Sequence, residues 1–165
     1  MISLVRLLLT VLIAISMPAL VSAETVEVKM LNRGEKGSMV FEPDFLALRP
    51  GDSDKFIATN KSHNAATIDG MVPDGHPGFK CKINEEIVVT FDKPGFYGIK
   101  CSPHYAMGMV MLIKVGHVEL PQSYRAIEVP ARAKPRFERS LLEPKRSSWE
   151  IAVAAHTELP RKSPG

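Results

Sequence analysis

The sequence predicts an all-β fold, a sandwich or barrel of short strands, followed by a short helical extension. Three observations carry that prediction. Between residues 25 and 115, apolar and polar side chains alternate in short runs, the pattern of strands with one buried face. Turn residues such as Pro50-Gly51-Asp52 and Pro94-Gly95 separate those runs at short intervals. After Val115 the alternation stops, and Pro121, Pro130, Pro135 and Pro144 bound pieces with helical spacing.

Residues 1–23 stand apart from the fold. Arg6 gives a short positive start, residues 7–15 are apolar apart from Thr10, and Val21-Ser22-Ala23 is a small-residue cleavage site. This is the pattern of a secretory signal peptide, too short and wrongly flanked for a membrane span. No later apolar run is long enough to cross a bilayer, so no stable membrane association is expected. Residues 24–116 are read as one β domain, 117–142 as the helical extension and 143–165 as a disordered tail.

Within the domain, residues 25–31 alternate and form the first strand, and the glycines of residues 32–37 make a loop. Short strands follow at 39–43 and 45–48. Arg49-Pro50-Gly51-Asp52 is a turn with proline at its corner. The next strand covers 55–59, and Asp54 beside it fits only as an exposed edge residue. Residues 68–80 hold Gly70, Pro73, Gly75, Pro77 and Gly78 and read as a long irregular connection. A strand at 83–91 and a turn at 92–95 lead to two strands, 97–100 and 109–115. Helical pieces are expected at 124–129 and 136–142, the second with Phe137 and Leu141 on one face. Another turn or two of helix is expected at 149–155.

Charge excludes one class of function. Residues 24–116 carry 11 basic and 12 acidic side chains, and residues 117–165 carry 9 basic and 6 acidic. The body holds no basic stripe studded with aromatics, so nucleic acid is not a partner.

Chemistry concentrates in Cys101-Ser-Pro-His104-Tyr-Ala-Met107-Gly-Met109, between two of the predicted strands. A second imidazole, His63, lies upstream in Asn60-Lys-Ser-His63-Asn64. One Cys, two His and a weak axial Met is the ligand set of a blue-copper electron-transfer site. Thiolate and thioether suit Cu(I), imidazole suits both oxidation states, and such a compromise leaves little to reorganise when an electron arrives. On spacing, Met107 and Met109 are both open as the axial sulfur, with Met109 modestly favoured because it opens a strand. Pro103 removes an amide donor near the thiolate and stiffens the loop. Asn64 is placed to bond the backbone of the Cys101 loop. His76, His117 and His156 fall outside the pattern and read as surface residues.

The chain has two cysteines. In an exported protein an even count suggests a disulfide. A ligand sulfur must be a free thiolate, however, so Cys101 is read as a ligand and Cys81 as a free or intermolecularly reactive thiol.

Residues 24–115 resemble the pseudoazurins, small periplasmic blue-copper proteins. The matching stretches include Met30-Leu-Asn32-Arg-Gly34, Gly37-Ser-Met39-Val-Phe41-Glu-Pro43, Asn60-Lys-Ser-His63-Asn64, Gly70-Met71-Val-Pro73-Asp74-Gly75 and the run from Pro94 to Val110. The resemblance implies a cupredoxin fold, a Greek-key β-sandwich of about eight strands. It implies one copper ion per chain, cycling between Cu(I) and Cu(II), with ligands His63, Cys101, His104 and Met109. It also implies that Asn32 and Asn64 support the ligands and that Met39 packs near the copper. The function implied is a periplasmic electron shuttle, not an enzyme, acting as a monomer. Its acceptor would be a nitrite reductase in denitrification and its donor a cytochrome or other carrier. Docking would use an apolar patch near Pro103 and Met107, ringed by Arg33, Lys61, Lys80, Lys82 and Lys100. A periplasmic copper storage or delivery protein is the alternative. It would favour several Met or Cys ligands in an open site. Two departures stand out. Cys81 replaces a small hydroxyl residue of the family, and the tail after Leu142 is unfamiliar.

Overall fold

The computed structural model describes residues 22–142. The expectations for residues 1–21 and for the tail from residue 143 lie outside the described residues. Eight strands form: β1 (Thr25–Gly34), β2 (Gly37–Glu42), β3 (Phe45–Leu48), β4 (Ser53–Ile57), β5 (Ala66–Thr67), β6 (Ile87–Thr90), β7 (Gly95–Lys100) and β8 (Val110–Val115). They build two sheets, one ordered β2-β1-β4-β6 and the other β3-β8-β7-β5. The pairs β1/β4 and β3/β8 are parallel and the others antiparallel. The all-β sandwich read from the sequence is therefore the fold.

Alternation directs the side chains. Along β8, Met111, Ile113 and Val115, with Met109 just before the strand, face the space between the sheets, where they meet Val28, Met30, Phe41, Phe56, Phe91 and Tyr97. Val110 and Leu112 face the other way, into a second apolar layer with Phe96, Tyr124, Ala133 and Phe137. That layer is made by two helices, α1 (Gln122–Arg125) and α2 (Lys134–Leu142). Because they cover the outside of the second sheet, β7 is buried on both faces and loses the alternation of a half-exposed strand. Tyr124 ties the layers by donating its hydroxyl to the Phe96 carbonyl at 2.9 Å.

Several boundaries differ from the sequence expectation. β1 runs on through Asn32, Arg33 and Gly34, which the glycine pattern assigned to a loop; pairing with β2 carries the ladder to Gly34↔Gly37. β4 begins at Ser53, β6 is shorter than 83–91, and Ser102–Met107 is a 3-10 helix. β5 has two residues, too few for a periodic signal. Of the C-terminal helices, α1 has Pro121 as its N-cap and ends at Arg125, so it both starts and stops earlier than the expected 124–129, and α2 takes in Pro135 within its first turn, where proline is tolerated.

Asp54 corrects an expectation outright. β4 is an interior strand, not an edge, and Asp54 alternates inward with Phe56 between Val26 of β1 and Val89 of β6. It is fully buried, neither carboxylate oxygen has a hydrogen-bond partner, and desolvation pushes its pKa up to about 8.

Candidate metal centre

The ligand candidates come from both ends of strands. His63 follows β4, Cys101 ends β7, His104 sits in the 3-10 helix and Met109 precedes β8. Pro103, at the start of that helix, fits a position where a missing amide donor costs nothing. Backbone hydrogen bonds close the loop: Cys101 N–H donates to Met109 C=O at 3.0 Å, His104 N–H to Cys101 C=O at 3.1 Å, and Met109 N–H to His104 C=O at 3.2 Å.

The fold brings three of the predicted ligands together. Cys101 Sγ lies 3.6 Å from His63 Nδ1 and 3.5 Å from His104 Nδ1. All three ligand atoms lie within 4.8 Å of one another. One ion at bond lengths of about 2.0 Å to nitrogen and about 2.3 Å to sulfur, at roughly 120°, spans edges of about 3.7 Å, close to those observed. The donor set and its spacing therefore fit a single metal ion. His63, Cys101 and Met109 are fully buried, and His104 is partly exposed. Met109 points into the inter-sheet core with Cys101, whereas Met107 is 39% exposed. Burial thus sets apart the two methionines that spacing left open.

Asparagines hold this arrangement. Asn32 Oδ1 stands 2.8 Å from His63 Nε2; when that nitrogen carries the proton, Nδ1 keeps its lone pair facing Cys101. Asn32 is itself fixed by its N–H, donated to Asn60 Oδ1 at 2.8 Å. Asn64 accepts the Ser102 N–H at 2.7 Å and donates to the Cys81 C=O at 3.0 Å. It joins the His63 loop to the Cys101 loop, as its position in the sequence suggested. Burial, and then the neighbouring His104, lower the pKa of His63 and keep the imidazole neutral. Burial raises the Cys101 thiol, so metal binding must release that proton. Met39 packs against the core cluster that contains Cys101 and Met109.

Cys81 decides between its two readings in favour of the free thiol. It is a free thiol but not a surface one: it is 4% exposed, and its Sγ accepts the Ala65 N–H at 3.2 Å. Desolvation raises its pKa. A sulfur so placed does not link two molecules, and the internal disulfide is absent.

The basic residues lie on the surface. Arg33, Lys61, Lys80 and Lys82 are exposed, and Lys100 is partly so, with its Nζ 5.1 Å from the centre of the Tyr105 ring. Lys80 and Lys100 both pair with Ala66, which puts them on either side of β5. Pro103 and Met107 are exposed beside His104.

Comparison with known proteins decides the family. Residues 28–116 match the model of the copper-binding proteins of the plastocyanin/azurin family. The pseudoazurin of Methylorubrum extorquens is 54% identical over 108 residues, which span 66% of this chain and 72% of that protein. The chain is a pseudoazurin-family cupredoxin. The pseudoazurin of Paracoccus pantotrophus is 44% identical over 133 residues, 80% of this chain and 90% of that one. The crystal structure of pseudoazurin from Methylobacterium extorquens superposes with a TM-score of 0.67 at 43% identity, over 72% of this chain and 99% of that one. Family membership makes copper the metal and electron transfer the activity; the protein is not an enzyme. Among the described residues, no helix is long and apolar enough to cross a membrane.

Proposed function

We propose that the protein is a monomeric periplasmic shuttle, exported by cleavage after Ala23, that carries single electrons from a cytochrome or similar carrier to a nitrite reductase in denitrification. His63, Cys101, His104 and Met109 are the copper ligands in this reading. The observation that carries it is the triangle of His63 Nδ1, Cys101 Sγ and His104 Nδ1, with Asn32 on the far side of the His63 ring. When bound, copper supplies one-electron cycling between Cu(I) and Cu(II). The chain's own residues keep the site rigid and dry. His63 and Cys101 are shut from water, the Asn32 and Asn64 bonds tie three chain segments together, and the backbone bonds of the 3-10 loop fix Cys101 against Met109. Such a site changes little between oxidation states, which speeds transfer.

His104 gives the electron a way out. Its ring is partly exposed, and Pro103 and Met107 around it form a small apolar surface. Arg33, Lys61, Lys80, Lys82 and Lys100 lie around the ligand loops and would steer an acidic partner to that surface. A storage or delivery role would call for an open, sulfur-rich site, and buried donors held by asparagines argue against it. Purified protein with copper should show an intense visible thiolate-to-copper band and reversible one-electron voltammetry. Cys101→Ser should lose the band and keep the circular dichroism of the sandwich. A colourless wild-type protein after copper addition would refute the assignment.

A further inference from the structure

The C-terminal segment covers the second sheet, with Tyr124, Ala133 and Phe137 buried against it. Arg136 does something else. It leaves the apolar layer and reaches the first sheet, across 97 residues of sequence. Its Nη1 donates to the Met39 carbonyl at 2.6 Å and its Nη2 to the Ser38 carbonyl at 2.8 Å. The guanidinium is thus a two-pronged clamp on β2, one that no other side-chain type reproduces.

Its target is a strained point. Met39 has φ +52°, a left-handed conformation rare for a non-glycine residue, which persists only where the surroundings enforce it. The ladder between β1 and β2 pairs Leu31 with Val40 and Arg33 with Ser38, so Asn32 is the residue opposite Met39. Asn32 is the side chain that meets His63 Nε2 at 2.8 Å. Arg136 therefore grips the strand directly across from the support of His63.

The same stretch of chain touches the ligand loop. Gly108, with φ +86°, precedes Met109, and a Cβ there would lie 2.6 Å from the Arg132 carbonyl. Residues 132–136 consequently lean on the Cys101–Met109 loop at one end and on the Met39 strand at the other.

We infer that Arg136 is a positioning residue for the metal site, making the C-terminal helix a brace that holds the Asn32–Met39 hairpin, and through it His63, in register with the ligand loop. The inference rests on the ligand assignment above. The test uses the full chain loaded with copper. Arg136→Met keeps the aliphatic stem and removes all donors. Cu(II) affinity should fall by up to about tenfold, less than the 10- to 100-fold typical of deleting a direct partner of a ligand. The intensity ratio of the visible charge-transfer bands and the reduction potential should move with it. Arg136→Lys, which can keep one of the bonds, should recover part of each change. In an Asn32→Ala background the loss from Arg136→Met should shrink, because the two residues act along one path. Two results would overturn the inference: a lower unfolding midpoint with unchanged spectrum, potential and affinity, or affinity losses that simply add. A wild-type chain that binds no copper would instead sink the ligand assignment, so the two failures are distinct.

Discussion

Asp54 makes stability fall as pH rises, and one substitution tests it. The carboxyl is fully buried between Val26 and Val89, without a hydrogen-bond partner, and its pKa is pushed up to about 8. An aspartate in the unfolded chain ionises near 3.9. Between those values the unfolded chain has lost the proton and the folded one keeps it. The unfolded state then binds fewer protons, so the unfolding free energy declines with a slope of about 1.4 kcal/mol per pH unit. From pH 4 to pH 7 the loss is about 4 kcal/mol, and it levels off near pH 8. Asp54→Val removes the titrating group and matches its apolar neighbours. Its stability relative to wild type should therefore grow by about 4 kcal/mol between pH 4 and pH 7. Urea unfolding of copper-free protein, followed by circular dichroism at each pH, measures this. Taking the difference between the two proteins cancels other groups, including Asp52, which burial raises but bonds from Arg49 and two backbone amides lower more. A difference that stays flat with pH, or a valine variant less stable at pH 7, would refute the reasoning.

Three further outcomes are expected. Met109→Leu should keep copper and colour and raise the potential by on the order of 60 mV, a tenfold change for a one-electron couple, because losing a weak donor disfavours Cu(II); a larger shift in Met107→Leu would move the axial role to that residue. Charge reversal at Lys61 or Lys100 should slow electron transfer to an acidic partner by about 3- to 10-fold at low salt and flatten its salt dependence, with the visible spectrum unchanged; stopped-flow rates against ionic strength decide. In the folded copper-loaded protein a thiol reagent should label Cys81 slower than in denaturant by on the order of a hundredfold or more, and non-reducing gels should show no dimer; rapid labelling would contradict its burial.

At two residues, Cys81 and Asp54, the strand pattern and the chemical type point different ways. Lys80, Cys81 and Lys82 run exposed, buried, exposed, the alternation of an extended segment, yet a cysteine in an exported chain left intermolecular reactivity open as an alternative. Asp54 and Phe56 share one face of β4, and a carboxylate on that face looked like an edge residue because buried, unpaired aspartates are rare. In both cases the period of the strand pointed to burial and the chemical type away from it. The two-residue β5 and the 3-10 helix gave no period to read.

The metal site divides along a different line. Cys101, His104 and Met109 fall within one loop, where ligand chemistry and spacing can be read together, and His63 stands out by its asparagine neighbours. What makes these donors a rigid site is non-local. The Asn32–His63 contact spans 31 residues, the Asn64–Ser102 bond 38, and the Arg136–Met39 bond 97. None has a spacing rule, because each depends on which strands pair and on what packs over them. Asn64 could be named from its place beside His63 and Asn32 through family resemblance, but Arg136 by neither, since its contact depends on how α2 docks against the hairpin. A copper loop transplanted into a sandwich that supplies a histidine in the place of His63 but lacks Asn32, Asn64 and Arg136 should therefore bind metal with the right ligands and the wrong rigidity. Its spectrum should broaden and its electron transfer slow even where the ligand string from Cys101 to Met109 is intact.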